Sequence, residues 1–451
     1  MENQQEKDNW FSRLTQSIAV KLATVGFISL ILLIPSSWIA DLIIERQQRQ
    51  KEVVDEIARS WAGNQTLTGP VLVLPYRTFQ EQKAPDGKVE LVEAIQRIFL
   101  MPERLDMKTR VEPEVLHRGI FDVVVYQARV DVAGTFAELD TKKLGIDPQS
   151  ILWNQTQLLV NVSDVKGLKQ IPQIRVAGTQ MSLEPDYSDL QVFNNGLACA
   201  IDWSSRQQTK SDFSFTLQLR GSEALSFTPV GKTTRFEVTG NWSNPSFTGG
   251  YLPEKRNVAD SAFTATWSIP YFNRPFPQQW VGNDGKRLQT SDADHSGGVR
   301  FLLPVDQYQK TMRSAKYAML IILLTFVSLL FTEWITKRSV NVLQYVLIGS
   351  AMVIYYTLLL SFSEQVGFTW AYVIASLCTI ILIGTFLYSI LRNKKASAML
   401  AGILSAFYLF VYVIIQLQEM ALLVGSVGLF VVVALLMYTS SRINWDKRVS
   451  G

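Results

Sequence analysis

Between Ala315 and Arg448, five apolar runs follow one another with only short polar breaks. Each run is roughly 18–24 residues long, and at about 1.5 Å per residue each is long enough to cross the ~30 Å hydrocarbon core as a helix. Soluble domains do not string such runs together, so the chain is read as a membrane protein. The runs are Ala315–Thr336, Val342–Ser361, Phe368–Leu391, Ala396–Leu417 and Ala421–Tyr438.

A sixth run lies far upstream. After a polar start (Met1–Gln16), Leu22–Ile34 is apolar and continues past Pro35, Ser36 and Ser37 into Trp38-Ile39-Ala40 and Leu42-Ile43-Ile44. As a signal peptide it would need a small residue before the cut. Cleavage after Ala40 puts Trp38 there, and cleavage after Ser37 puts Pro35 there. The run is therefore expected to persist as an anchor, kinked at Pro35, with Ser36 or Ser37 occupying freed carbonyls. Trp38 then sits near the outer interface. Glu45–Ala62 reads as a polar helix leaving the membrane, with Val53, Val54, Ile57 and Trp61 on one face and Gly63 as its stop.

From Thr68 to about Tyr308 the periodicity changes from helical to alternating. Val71–Pro75, Arg97–Met101, Phe121–Val132, Thr156–Val162, Phe213–Leu219, Phe236–Gly240 and Phe263–Ile269 all read as strands. Phe213, Phe215, Leu217 and Leu219 alternate with Ser214, Thr216 and Gln218, the pattern of a half-buried strand. Pro85-Asp86-Gly87, Asn194-Asn195-Gly196 and Asn283-Asp284-Gly285 supply turns. The expected fold is a membrane α-helical base of six spans carrying a large, mainly antiparallel all-β domain. The expected divisions are 1–44 (tail and first span), 45–62 (juxtamembrane helix), 63–314 (β domain), 315–441 (five-helix bundle) and 442–451 (tail).

The short loops orient the spans. Lys337 and Arg338, then Arg392, Lys394 and Lys395, then Arg442, Lys447 and Arg448 mark one side. Phe362–Gly367 and Gln418–Met420 contain no Lys or Arg and carry Glu364 and Glu419. Basic loops stay cytoplasmic, so both termini are expected inside and residues 45–314 in the periplasm. Lys7, Arg13 and Lys21 agree. Arg46, Arg49 and Lys51 run against the rule, but they belong to a large translocated domain, where it weakens.

Chemistry is sparse. A net charge of +4 with no basic, aromatic-interleaved patch argues against nucleic acid. The two cysteines, Cys199 and Cys378, fall in different environments and have no metal-type spacing. The two histidines, His117 and His295, read as surface or capping residues, so neither a catalytic site nor a cofactor is expected. Ser226–Thr233 ends like a phosphate loop but begins with serine and joins two strands, so it reads as a β-turn. Ionisable residues inside a membrane are functional candidates, and here they lie near interfaces: Asp41, Lys316, and Glu333, which Lys337 could pair at i, i+4. Tyr355, Tyr356 and Ser361 leave a polar track in one span. The stretch Asn241–Pro253 is dense in Asn, Gly, Pro and aromatics and reads as a tight irregular loop, either purely structural or exposing Trp242, Phe247 and Tyr251 to glycans, lipids, partners or the membrane surface.

Several stretches resemble the CreD family of inner-membrane proteins. They include Gly69–Pro75, then Asn241-Trp242 with Pro245-Ser246-Phe247 and Gly249, and Leu252-Pro253 with Lys255-Arg256. Pro304–Gln309, Ala315–Ala318, Leu324–Phe326, Gln344–Gly349 and Leu360–Phe368 continue the likeness in collinear order. The resemblance implies a Gram-negative inner-membrane protein linked to envelope integrity and governed by a two-component system. Its relatives are associated with colicin tolerance and altered β-lactam susceptibility. It supplies no catalytic residues.

The leading expectation is a non-enzymatic envelope protein whose β domain binds membrane lipids, envelope proteins or envelope polymers. The alternative is a lipid or small-solute conduit, with the β domain as a funnel above Tyr355 and Glu364. An enzyme acting on envelope polymers would need paired carboxylates in an outer cleft.

Overall fold

Proline sets the first break in the helical part. The computed structural model describes residues 18–83, 89–186, 192–193, 196–204, 210–274, 277–282, 295–303, 307–336, 338–417 and 420–441. Helix α1 (Ile18–Ile31) is followed, across a turn at Leu32, by α2 (Leu33–Trp61). Pro35 has no N–H to offer the preceding turn. The Ser36 hydroxyl bonds the Leu32 carbonyl at 2.8 Å, beside a long 3.3 Å bond from the Ser36 amide to the same oxygen. Ser37 Oγ donates to the Ile34 carbonyl at 2.7 Å. Both serines therefore reinforce the ladder around the proline gap. The polar helix expected from Glu45 is the continuation of α2.

Several sequence expectations fall outside the described residues. These are the turns at Pro85–Gly87, Asn194–Asn195 and Asn283–Gly285, the basic residues Lys7, Arg13, Lys337, Arg442, Lys447 and Arg448, and also Glu419 and Pro304–Asp306.

Residue contacts divide the chain into two units, Met1–Gln50 with Val305–Gly451, and Lys51–Pro304. In the first, α3 (Gln307–Lys316) and α4 (Ala318–Thr336) form a pair bent by 41°. They precede α5 (Val342–Val366), α6 (Phe368–Leu391), α7 (Lys394–Gln416) and α8 (Ala421–Ser441). Asn341 and Gln344 form a capping box at the start of α5. Asn393 caps α7 by accepting from the amides of Lys395 and Ala396. Gly367, at φ 78, turns the chain between α5 and α6 in a conformation that L side chains rarely adopt. Among the described residues, four helices are long and apolar enough to cross a membrane: Val20–Trp61, Val342–Val366, Phe368–Leu391 and Lys394–Gln416. The bent pair makes a fifth, and α8 contributes a shorter apolar stretch, Ala421–Leu435. Gly349 lets α1 approach α5, since a Cβ there would lie 2.2 Å from Leu32 Cδ1.

The second unit is a β-sandwich. Sheet one contains β1 (Gln65–Lys83), β2 (Val89–Leu100), β5 (Thr156–Val162), β8 (Glu184–Pro185), β9 (Gly196–Ile201), β11 (Ala224–Thr228), β13 (Pro245–Gly249), β16 (Gln279–Gly282) and β17 (Gly297–Phe301). Its order is β13-β17-β11-β1-β5-β9-β8, with β2 and β16 branching from β1. Sheet two contains β3 (Pro102–Arg118), β4 (Phe121–Phe136), β6 (Gln173–Val176), β7 (Thr179–Ser182), β10 (Ser211–Ser222), β12 (Thr233–Gly240), β14 (Lys255–Val258) and β15 (Phe263–Pro270). Its order is β14-β15-β12-β3-β4-β10-β6-β7. Most pairings are antiparallel, but β1 runs parallel to β11 and β12 runs parallel to β3, so both sheets are mixed.

One hydrophobic core joins the sheets. Phe227 of sheet one meets Phe236 of sheet two at 5.3 Å, and Phe301 meets Tyr126 at 5.3 Å and Phe263 at 6.4 Å. Inward residues alternate with outward ones along β10 and β15, as the sequence pattern requires. The chain arrives and leaves at the same end of sheet one. Gln65 opens β1 opposite Leu225, while Arg300, near the end of β17, lies opposite Ala224 on the other side of β11. Buried Gln65 fixes this corner by donating to the carbonyls of Asp164 and Arg220, both at 3.0 Å.

Candidate functional site

The aromatic stretch Asn241–Pro253 corrects one expectation. Its centre is β13, an edge strand paired antiparallel with β17, and its rings turn inward. Trp242, Phe247 and Tyr251 are half-buried against the core. Trp242 lies edge-on to Phe301 at 6.3 Å, and its indole N–H donates to the Leu302 carbonyl at 3.1 Å. Phe247 contacts Phe263 and Trp267, and Trp267 Nε1 donates to the Tyr251 carbonyl at 2.9 Å. The Tyr251 hydroxyl bonds the Asn273 carbonyl, and burial raises its pKa. The three rings extend the edge of the core rather than standing on a free loop. Gly249, at φ 97, permits the turn, because a Cβ would meet the Ser296 carbonyl at 2.1 Å.

In the helical unit, Glu333 of α4 is 4% exposed and forms an ion pair with Lys21 of α1, which is 26% exposed. Tyr345 of α5 donates to its second oxygen at 3.4 Å. Lys337, expected as its partner from helical spacing, lies outside the described residues. A bond across 312 positions of sequence carries no local pattern. Glu364 accepts from Tyr308 at 3.1 Å. Tyr355 is fully buried, with its ring centre 4.7 Å from Tyr408, 4.8 Å from Tyr356 and 6.0 Å from Tyr372. Its phenol lies near Ser314 of α3 and Ser376 of α6. All three hydroxyls lack a partner in hydrogen-bonding geometry among the described residues.

Sequence reasoning missed a trough on the outer face of sheet two, with a volume of about 710 Å³. It forms where the register aligns outward residues from neighbouring strands. Asp106 of β3 is opposite Ala133 of β4, which is opposite Ser214 of β10, which is opposite Arg175 of β6. The next outward row begins with Lys108, Asp131 and Thr216. Ala133 and Ser214, with their small side chains, keep the floor low, and Gln170, Ile171 and Gln180 complete the lining. Asp131 accepts from Thr216 Oγ1 at 2.6 Å and from Arg129 Nε at 3.2 Å, and these contacts hold its pKa below the usual carboxylate range against the opposing effect of partial desolvation. Arg104 holds Asp106 at 2.5 Å. No trough residue was nominated from sequence. The available signal was the polar outward set of Phe213–Leu219, which shows an exposed face but not the strands beside it.

The two histidines are far from this arrangement in sheet position. His117 Nδ1 lies 2.5 Å from Asp122 Oδ1 at the exposed β3–β4 hairpin, and His295 precedes β17.

The family model described as "Inner membrane protein CreD" matches residues 17–446. The chain belongs to the CreD family. The "Inner membrane protein CreD" of Escherichia coli (strain K12) is 29% identical over 421 residues, covering 92% of this chain and 91% of that relative. The CreD match therefore runs through both units, and it fits a multi-pass inner-membrane location.

Proposed function

We propose that this CreD-family chain acts in the cell envelope by binding rather than catalysis. Its β unit serves as a periplasmic binding and scaffold module on a helical membrane base, contributing to envelope integrity and stress tolerance. The trough on sheet two carries the reading, because it is a concave surface lined by both charged and apolar side chains on an otherwise completed sandwich. Both of its carboxylates are engaged by local partners, so neither is poised as a general acid. The base has six spans in this reading, with α8 as the sixth, and no cofactor takes part. The distribution of Lys and Arg supports cytoplasmic termini and a periplasmic segment 45–314.

Binding of the purified full chain to membrane-lipid vesicles, peptidoglycan fragments and detergent-extracted envelope proteins tests this. Saturable binding to one class, reduced by Thr216→Trp, which fills the trough without changing its charge, is expected. No saturable binding to any of the three overturns it.

A second reading, a lipid or small-solute conduit, draws on the buried hydroxyls of Ser314, Tyr355 and Ser376. It requires transfer in reconstituted vesicles that falls with Tyr355→Phe and Glu364→Ala. Transfer unchanged by both, or no transfer by wild type, removes it.

A further inference from the structure

The charges around the trough are not balanced in the way their numbers suggest. Asp106 and Asp131 are held locally, by Arg104 and by Arg129 with Thr216. Lys108 and Arg175 have no ion-pair or side-chain hydrogen-bond partner among the described residues. The trough therefore offers a surplus of cationic donors. Lys108 stands on β3 and Arg175 on β6, three strand steps apart and one outward row offset, so their Cα atoms are about 16 Å apart across the floor. Long, flexible side chains at that separation can both reach a chain lying in the trough.

The remaining groups indicate what that chain is. β4 and β10, which form the floor, are paired on both sides, so a peptide could add a strand only at the terminal strand β7, beyond the floor. The floor is Ala133 and Ser214, and exposed Ile171 adds an apolar contact to the charged and polar lining. Gln170, Gln180 and the Ser214 hydroxyl are neutral groups that can both donate and accept, which suits a ligand rich in hydroxyls. Charge-assisted bonds from Lys and Arg suit carboxylate or phosphate oxygens.

We propose that the trough binds an acidic glycan, a hydroxyl-rich chain bearing carboxylate or phosphate groups, through Lys108 and Arg175. This rests on the binding-module reading and names the ligand class for the same surface.

The test uses the full chain in detergent micelles at two salt concentrations. The probes are polygalacturonate oligomers (carboxylated), phosphomannan fragments (phosphorylated), dextran (neutral) and poly-glutamate (an acidic peptide). Saturable binding to at least one acidic glycan is expected, weakening with salt, with none to dextran. Binding to one glycan and not the other identifies which oxyanion is the source. Lys108→Gln/Arg175→Gln should weaken binding at least tenfold. Lys142→Gln/Lys143→Gln, which removes the same charge from an exposed helical turn outside the trough, should change it less than twofold.

No binding to either acidic glycan, or equal loss in both double variants, overturns the proposal. Poly-glutamate binding as tightly, with the same sensitivity to Lys108 and Arg175, overturns it in favour of an acidic peptide. If acidic glycans fail while another envelope component binds in a trough-dependent manner, the ligand class fails and the module reading stands. If nothing binds there, both fail.

Discussion

Replacing Lys21 by methionine strands Glu333, whose side chain is 4% exposed and keeps only the 3.4 Å bond from Tyr345. Breaking a buried ion pair from one side costs about 3–5 kcal/mol, because the surviving charge is left uncompensated. The reverse change, Glu333→Leu, should be milder. Lys21 is 26% exposed and can turn its ammonium toward water, so the expected cost is about 1–2 kcal/mol, much of it from the unpaired Tyr345 hydroxyl. Lys21→Met/Glu333→Leu removes both charges and should lie within about 1 kcal/mol of wild type. The double-mutant cycle then gives a coupling of about 3 kcal/mol or more. Equilibrium unfolding of the purified protein in mixed micelles titrated with sodium dodecyl sulfate measures all four corners. Additive single effects, or a Glu333→Leu cost above that of Lys21→Met, would refute the claim that this pair ties the first span to α4.

Three further outcomes test other parts of the account. In a background lacking Cys199 and Cys378, Thr179→Cys should react with an impermeant thiol reagent in cells with a permeabilised outer membrane, whereas Ser339→Cys should not. Labelling of both would contradict the orientation. Gly349→Ala forces a Cβ to 2.2 Å from Leu32 and 3.0 Å from Phe326, so thermal stability should fall by about 1–3 kcal/mol. Gly402→Ala, with nothing within 4 Å, should leave the midpoint unchanged or raised, and equal losses would refute the close contact. Burial pushes the Cys199 thiol up to about 11. Its thiolate fraction near pH 8 should therefore be roughly 100-fold below that of an ordinary thiol, with alkylation of Cys378→Ser protein slowed to match. Fast alkylation of the folded protein would show that Cys199 is accessible.

Long apolar helices were legible because a bilayer demands long apolar runs, and the boundaries found for α6 are those read from sequence, whereas the run expected at Ala315–Thr336 is a bent pair of helices. The clean alternation at Phe213–Leu219 and Phe263–Ile269 likewise identified β10 and β15. β3 was missed, although it pairs with β4 along almost its whole length. Its outward positions are charged and Pro113 interrupts it, so burial of Leu105, Met107 and Val111 was diluted below a readable pattern. The segment holding Trp242, Phe247 and Tyr251 was read as an irregular loop for a related reason. Glycine, proline and asparagine around them signal irregularity, whereas pairing with β17, some fifty residues downstream, makes the segment a strand. The Lys21–Glu333 bond and the trough share the same obstacle, since each is assembled from positions far apart in the chain. Local periodicity can assign a residue to a face but cannot say which strand or helix lies beside it.

The central claim is that the outer face of sheet two is the working surface of this protein. A photo-reactive amino acid at Gln180, in the full chain expressed in living cells, tests it most directly. The account predicts a discrete adduct with an envelope component, absent when the probe is moved to Lys143 and diminished by Lys108→Gln/Arg175→Gln. No adduct at Gln180 above the Lys143 level, or an adduct unaffected by the double substitution, would contradict it.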